Sequence, residues 1–160
     1  MSGQTFYGKY RGTVVDNGDP NGIGRIKARV PDIFGDEDSG WALPSLPYAG
    51  DRVGLFLIPP EDAWVWIEFE GGNPDKPIWS GCFWTEGTTP DTSGAVEKKI
   101  LKTDAGTLTI DDSEGSITIE TADGMTIILN SEGIEINAGS GNVKVNGSQL
   151  TVNDGSLEVT

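Results

Sequence analysis

The last third of the chain is a repeat, and this limits the fold more than any other feature. Divided into units, residues 106–160 read GTLTIDDSE, GSITIETAD, GMTIILNSE, GIEINAGS, GNVKVNG, SQLTVND and GSLEVT. Gly106, Gly115, Gly124 and Gly133 stand nine apart, and the pairs Val143/Val145, Leu150/Val152 and Leu157/Val159 stand seven apart. Most units predict a short strand with two apolar residues alternating with polar ones, closed by a Gly, Asn, Asp or Ser turn. Such a strand offers one apolar face of two side chains, which only neighbouring units can bury. Units this short cannot complete a three-sided coil in one chain. Three chains wound around a common axis would turn every apolar face inward. The predicted trimer core is therefore Leu108, Ile110, Ile117, Ile119, Ile134, Ile136, Val143, Val145, Leu150, Val152, Leu157 and Val159. Strands stack about 4.8 Å apart, so seven layers would span roughly 34 Å. A single-chain β-roll or sandwich is the alternative. The register of the more apolar stretch 125–129 stays open.

The residues ahead of the repeat follow another grammar. All five Trp, five Phe and three Tyr precede residue 85. Period-two patterning predicts strands at 5–15, 24–30, 51–58, 63–70 and 78–84, separated by Pro- and Gly-rich breaks. In "AWVWIEFE", Val65, Ile67 and Phe69 share one face, and Trp64, Trp66, Glu68 and Glu70 the other. No stretch has convincing helical periodicity. Five short strands in about 80 residues suggest a small barrel of the OB type. The whole reads as all-β, a five-stranded OB-fold barrel followed by an intertwined trimeric β-helix. The expected domains are 1–86 (barrel), 87–99 (a Thr/Pro/Gly/Ser linker) and 100–160 (repeat).

Charge and composition narrow the function. The net charge is −14, of which residues 1–86 carry −6 and residues 100–160 carry −8. A chain this acidic repels phosphate backbones, so no nucleic-acid partner is expected. With no histidine, the His-dependent triads and imidazole metal sites are excluded. The N-terminus lacks the apolar stretch of a signal peptide, and no 18-residue apolar run spans a membrane, so synthesis in the cytoplasm is expected.

Asn17, Asp19, Asn21 and Gly22 fit positions 1, 3, 5 and 6 of a calcium loop, but position 12, which needs a bidentate Glu, is Ala28. A hairpin turn joining the first two strands is the better reading. The tail's DG and ND turns resemble calcium-binding β-rolls but lack the G-G-x-G-x-D repeat. Glu68 and Glu70 share a strand face at a spacing that suits paired carboxylates, with nothing else to mark a sugar cleft. Cys82, in "IWSGCFW", lacks a His partner and reads as a small core residue. No enzyme, cofactor or metal is predicted. Trp64 and Trp66 mark a surface for another subunit or a hub protein.

The stretches "GRIKARVP" at 24–31, "SGWALPSLPYAG" at 39–50 and "LIPPEDAWVWIEFEGGNPDKPIWSG" at 57–81, followed in order by the repeat, carry a family resemblance. The chain resembles the central spike of contractile injection machines: phage baseplate assembly protein V, the cell-puncturing spike of large tailed phages and the valine-glycine-repeat spike of type VI secretion. The resemblance implies an OB-fold under a tail hub and a trimeric β-helix needle. Its partners would be a baseplate hub protein, a tip-capping protein and, transiently, the target cell membrane. It also implies assembly into a virion tail or injection particle. Some phage spikes carry a His-x-His iron site at the tip, which a chain without histidine cannot build. The alternative is an OB-fold module binding single-stranded nucleic acid or sugar, with a trimerising tail.

Overall fold

The computed structural model describes residues 4–159. The chain forms two compact units, 1–86 and 87–160.

The first unit is built on β1 (Tyr10–Asp16), β2 (Lys27–Arg29), β3 (Leu43–Pro44), β6 (Trp64–Phe69) and β7 (Pro77–Cys82), in the sheet order β2-β1-β6-β7-β3. A separate hairpin joins β4 (Ala49–Gly50) to β5 (Val53–Gly54). All pairings are antiparallel except β3 with β7. The two ends of the order meet where Ile26 and Ala42 exchange both backbone hydrogen bonds, at 3.2 and 2.7 Å. The sheet thus curls around Val14, Ile26, Ala28, Val30, Ala42, Val65 and Ile67, all essentially without solvent exposure. Phe69 and Trp79 complete this core, and the Trp79 indole donates to the Gly24 carbonyl at 3.0 Å. Alternation explains the selection: Val65, Ile67 and Phe69 point in while the residues between them point out.

Three expectations are corrected here. The 51–58 stretch is not a barrel strand; its first residues form the β4–β5 hairpin, and the fifth place in the sheet goes to β3. The apolar run VGLFLI lacks period two, so it gives no inward face to a sheet. A single helical turn, α1 (Pro31–Phe34), lies between β2 and β3, opened by a Pro at a position that needs no N–H donor. Cys82 is exposed: it is the last residue of β7, beyond the irregularity that interrupts the inward alternation of Pro77 and Trp79.

The second unit is one eight-stranded antiparallel meander. Its strands are β8 (Lys98–Thr103), β9 (Gly106–Asp111), β10 (Ser116–Thr121), β11 (Thr126–Asn130), β12 (Gly133–Ala138), β13 (Gly141–Asn146), β14 (Gln149–Val152) and β15 (Leu157–Val159). Each repeat unit is one strand and one turn, so successive units reverse direction. Every ladder described between these strands runs within the chain. Glycine is required where strands draw close: a Cβ on Gly133, whose φ is +143°, would sit 1.9 Å from the Val145 carbonyl oxygen. Among the described residues, Asp111 is the one buried side chain of this unit. Its carboxylate accepts from the Ser113 hydroxyl and from the Ser113 and Glu114 amides, which tightens the β9–β10 turn and holds the carboxyl below its ordinary range.

Candidate assembly surfaces

The pairing register of the meander decides which side chains share a face. Leu101 lies opposite Leu108, Leu108 opposite Ile119, Ile119 opposite Ile127, and Ile127 opposite Ile136. The column continues through Val143 and Val152 to Leu157. Beside it runs a second column, Ile110, Ile117, Leu129, Ile134, Val145 and Leu150. Eleven of the twelve residues expected in the trimer core thus fall on one face, in two unbroken lines. Val159 extends the second line by its backbone pairing to Leu150, and its side chain lies outside the described residues. Lys99 begins that line in β8, opposite Ile110, and forms an ion pair with Asp112.

The register also supplies residues that the sequence left open. In the run Ile127-Ile128-Leu129, the first and third belong to the aliphatic face. Ile128 lies opposite Thr118 and Glu135, on the polar face. Leu101 was missed because its strand, KKILKT, has no clean alternation. On the polar face Glu135 accepts from Asn137 at 2.9 Å and pairs with Lys144 at 3.4 Å, and both interactions lower its pKa.

Within one chain this face is unfinished. Leu101, Ile110, Ile117, Ile119, Ile127, Leu129, Ile134, Ile136 and Val145 each keep 37–47% of their surface exposed. Full burial of one such side chain contributes about 1.5–3 kcal/mol, so a continuous aliphatic face of this length requires a cover.

A second surface lies on the outer side of the first unit. Trp64 and Trp66 stack against Phe83 with ring centroids 5.7 and 4.6 Å away. The Arg11 guanidinium lies over Trp66 and Phe83 at 5.9 and 5.7 Å. Phe83 arrives there through a bulge: Ile67 pairs with Trp79 but Val65 pairs with Cys82, so β7 holds one extra residue. That extra residue turns Phe83 to the outer face, a placement alternation alone does not give. Trp64 is 40% exposed.

Comparison with known families bears on both units. Residues 10–84 match the type VI secretion system/phage-baseplate injector OB domain, and residues 98–158 match the phage baseplate V C-terminal trimerisation domain. The chain belongs to the baseplate spike family. A search among curated proteins returns no match. The two matched families are structural, and the trimerisation domain supports a homotrimer. Membership implies assembly into a phage or secretion particle. No helix among the described residues is long and apolar enough to cross a membrane.

The other candidates of this spike protein have structural partners. The suspected calcium loop is a hairpin turn between β1 and β2, and Asp19 organises it. Its carboxylate accepts from the Asn21, Ile23 and Arg25 amides and from the Arg25 guanidinium, at 2.6–3.2 Å. The Arg25 contact, reinforced by those amides, holds the Asp19 carboxyl far below its usual range. Glu68 pairs with Lys9 at 3.2 Å, and Glu70 leaves the strand for a short 3-10 turn, where it lies 3.8 Å from Lys76. The two carboxylates thus have separate cationic partners.

Proposed function

We propose that this chain is the homotrimeric spike at the tip of a contractile tail or injection particle, that it docks beneath the hub, and that it pierces the target membrane. The observation that carries the reading is the two-column aliphatic face of the meander, left open along its whole length in a single chain. Three such faces turned toward a common axis would close each other's open side and form a β-helical needle. The needle would be about 34 Å long, from the seven intervals between eight strands. The in-chain ladders supply the hydrogen bonds along each face, so the shared core is the main tie between chains. Stiffness is the working property. A sheath drives the tube forward, and a narrow rigid rod concentrates the force. The acidic exterior, free of aromatic residues, disfavours adhesion to lipid during passage. Trp64, Trp66 and Phe83 are the proposed contact with the hub.

Sedimentation of the full chain tests the reading. A trimer of about 51 kDa, three times 17.0 kDa, is expected from threefold closure. A monomer at micromolar concentration rejects it.

The Arg11 stack on two aromatic rings is also the kind of platform that binds single-stranded nucleic acid. Salt-dependent binding of single-stranded DNA would favour that second reading. The net charge of −14 opposes it.

A further inference from the structure

The first unit carries an apolar surface that neither its core nor the aromatic patch uses. Between Trp41 and Pro60 there are two charged residues, Asp51 and Arg52, adjacent and opposite in sign. They sit together at the turn of the β4–β5 hairpin, which is held by the Ala49–Gly54 and Gly50–Val53 pairings and by the Leu55 amide donating to the Tyr48 carbonyl at 2.9 Å. Tyr48, Val53, Leu55, Phe56 and Leu57 are all exposed, Phe56 to 65%. Close approaches join the hairpin to the barrel: a Cβ on Gly24 would lie 2.8 Å from Ile58 and 3.4 Å from Phe56.

A two-stranded hairpin of this size is marginal in water, and a contiguous apolar patch marks an interaction site. We infer that the covering partner is a second copy of this chain, with the hairpins forming a contact among the three first units of the trimer. The inference rests on the trimeric reading above. Charge permits a copy at this surface, and the tether selects it over a foreign protein. Chains of net charge −14 repel one another, so any contact between them must run through neutral surface, and 41–60 is a net-neutral stretch. The C-terminal trimerisation domain is also tied to each first unit by residues 87–97 only. That tether reaches at most about 40 Å. Three hairpins so confined meet at an effective concentration in the millimolar range, where a contact too weak to assemble free units is occupied.

Amide hydrogen exchange on the full chain tests this. Three proteins are compared: the wild type, a full-length Ile119→Asp/Ile127→Asp variant in which the needle cannot close, and a Leu55→Ser/Phe56→Ser variant with the needle intact. In the wild-type trimer the Leu55 and Val53 amides are expected to be protected. In both variants they should exchange about tenfold faster or more, while the β1 and β6 amides keep wild-type protection. If the hairpin amides of a wild-type trimer exchange as fast as those of the Leu55→Ser/Phe56→Ser variant, the contact between copies is rejected and the trimer stands. If the wild type is itself monomeric by sedimentation, the spike reading falls and takes this contact with it.

Discussion

The two units use the same strands for opposite ends. In the first, each strand turns its apolar face to a core the chain closes by itself, and Val65 and Ile67 have no exposed surface. In the second, the strands are more regular, yet none of their described aliphatic side chains is buried. The difference lies in curvature and connectivity. A bulge, a helical turn and the Ile26–Ala42 closure bend the first sheet around a core. Short turns and an even register keep the second sheet a single layer. Regularity gives a surface that fits copies of itself, and irregularity gives a domain that stands alone.

The sharpest test of this contrast places a charge on the open face. In Ile119→Asp, three carboxylates meet at one level of the proposed axis, at a cost of several kcal/mol. Sedimentation should show loss of the trimer, and tryptophan fluorescence should stay native, because every Trp precedes residue 85. If the variant assembles and melts like wild type, Ile119 is not axial.

The converse experiment empties the closed core. Ile67→Ala should destabilise the first unit by about 2–5 kcal/mol through lost burial and the cavity left behind. The expected result is an early, tryptophan-reported transition in thermal melting, with the trimer still intact by sedimentation. Coincident loss of both would show the units to be energetically one.

A cut near Thr92 separates the two behaviours physically. Residues 1–92 should keep native near-ultraviolet circular dichroism and sediment as a weakly associating monomer. The isolated tail should be a stable trimer or unfolded, since three chains must be ordered before the shared core stabilises any of them. A folded monomeric tail would contradict the open-face interpretation.

The smallest effect expected is acid sensitivity of the β1–β2 turn. Asp19 titrates well below its ordinary value because Arg25 and the turn amides bind its charged form. Its contribution is therefore complete above the unfolded value, about 3.9, and is lost as pH falls through the folded value. Acid unfolding of the first unit should lose part of its pH dependence in Asp19→Asn. An unchanged acid profile would assign that dependence to other carboxylates.

What depends on local periodicity is legible in the order of the amino acids. Alternation at Val65, Ile67 and Phe69 marks a half-buried strand. Glycines nine apart mark the units of the meander, and the poor match at Ala28 marks a turn instead of a calcium site. These are legible because side chains alternate every residue and turns need particular backbone angles. Tertiary structure decided what depends on pairing. The run Ile127-Ile128-Leu129 is apolar at every position, so only the opposite strands reveal that Ile128 faces away. The stretch VGLFL reads as core by hydrophobicity but stays exposed, with only the following Ile58 packed on the barrel, because β3 occupies the edge of β7 and completes the closure. Phe83 joins Trp64 and Trp66 only because a bulge shifts the parity of β7. Hydrophobicity shows that a residue needs cover, and strand register and sheet closure decide what lies opposite it.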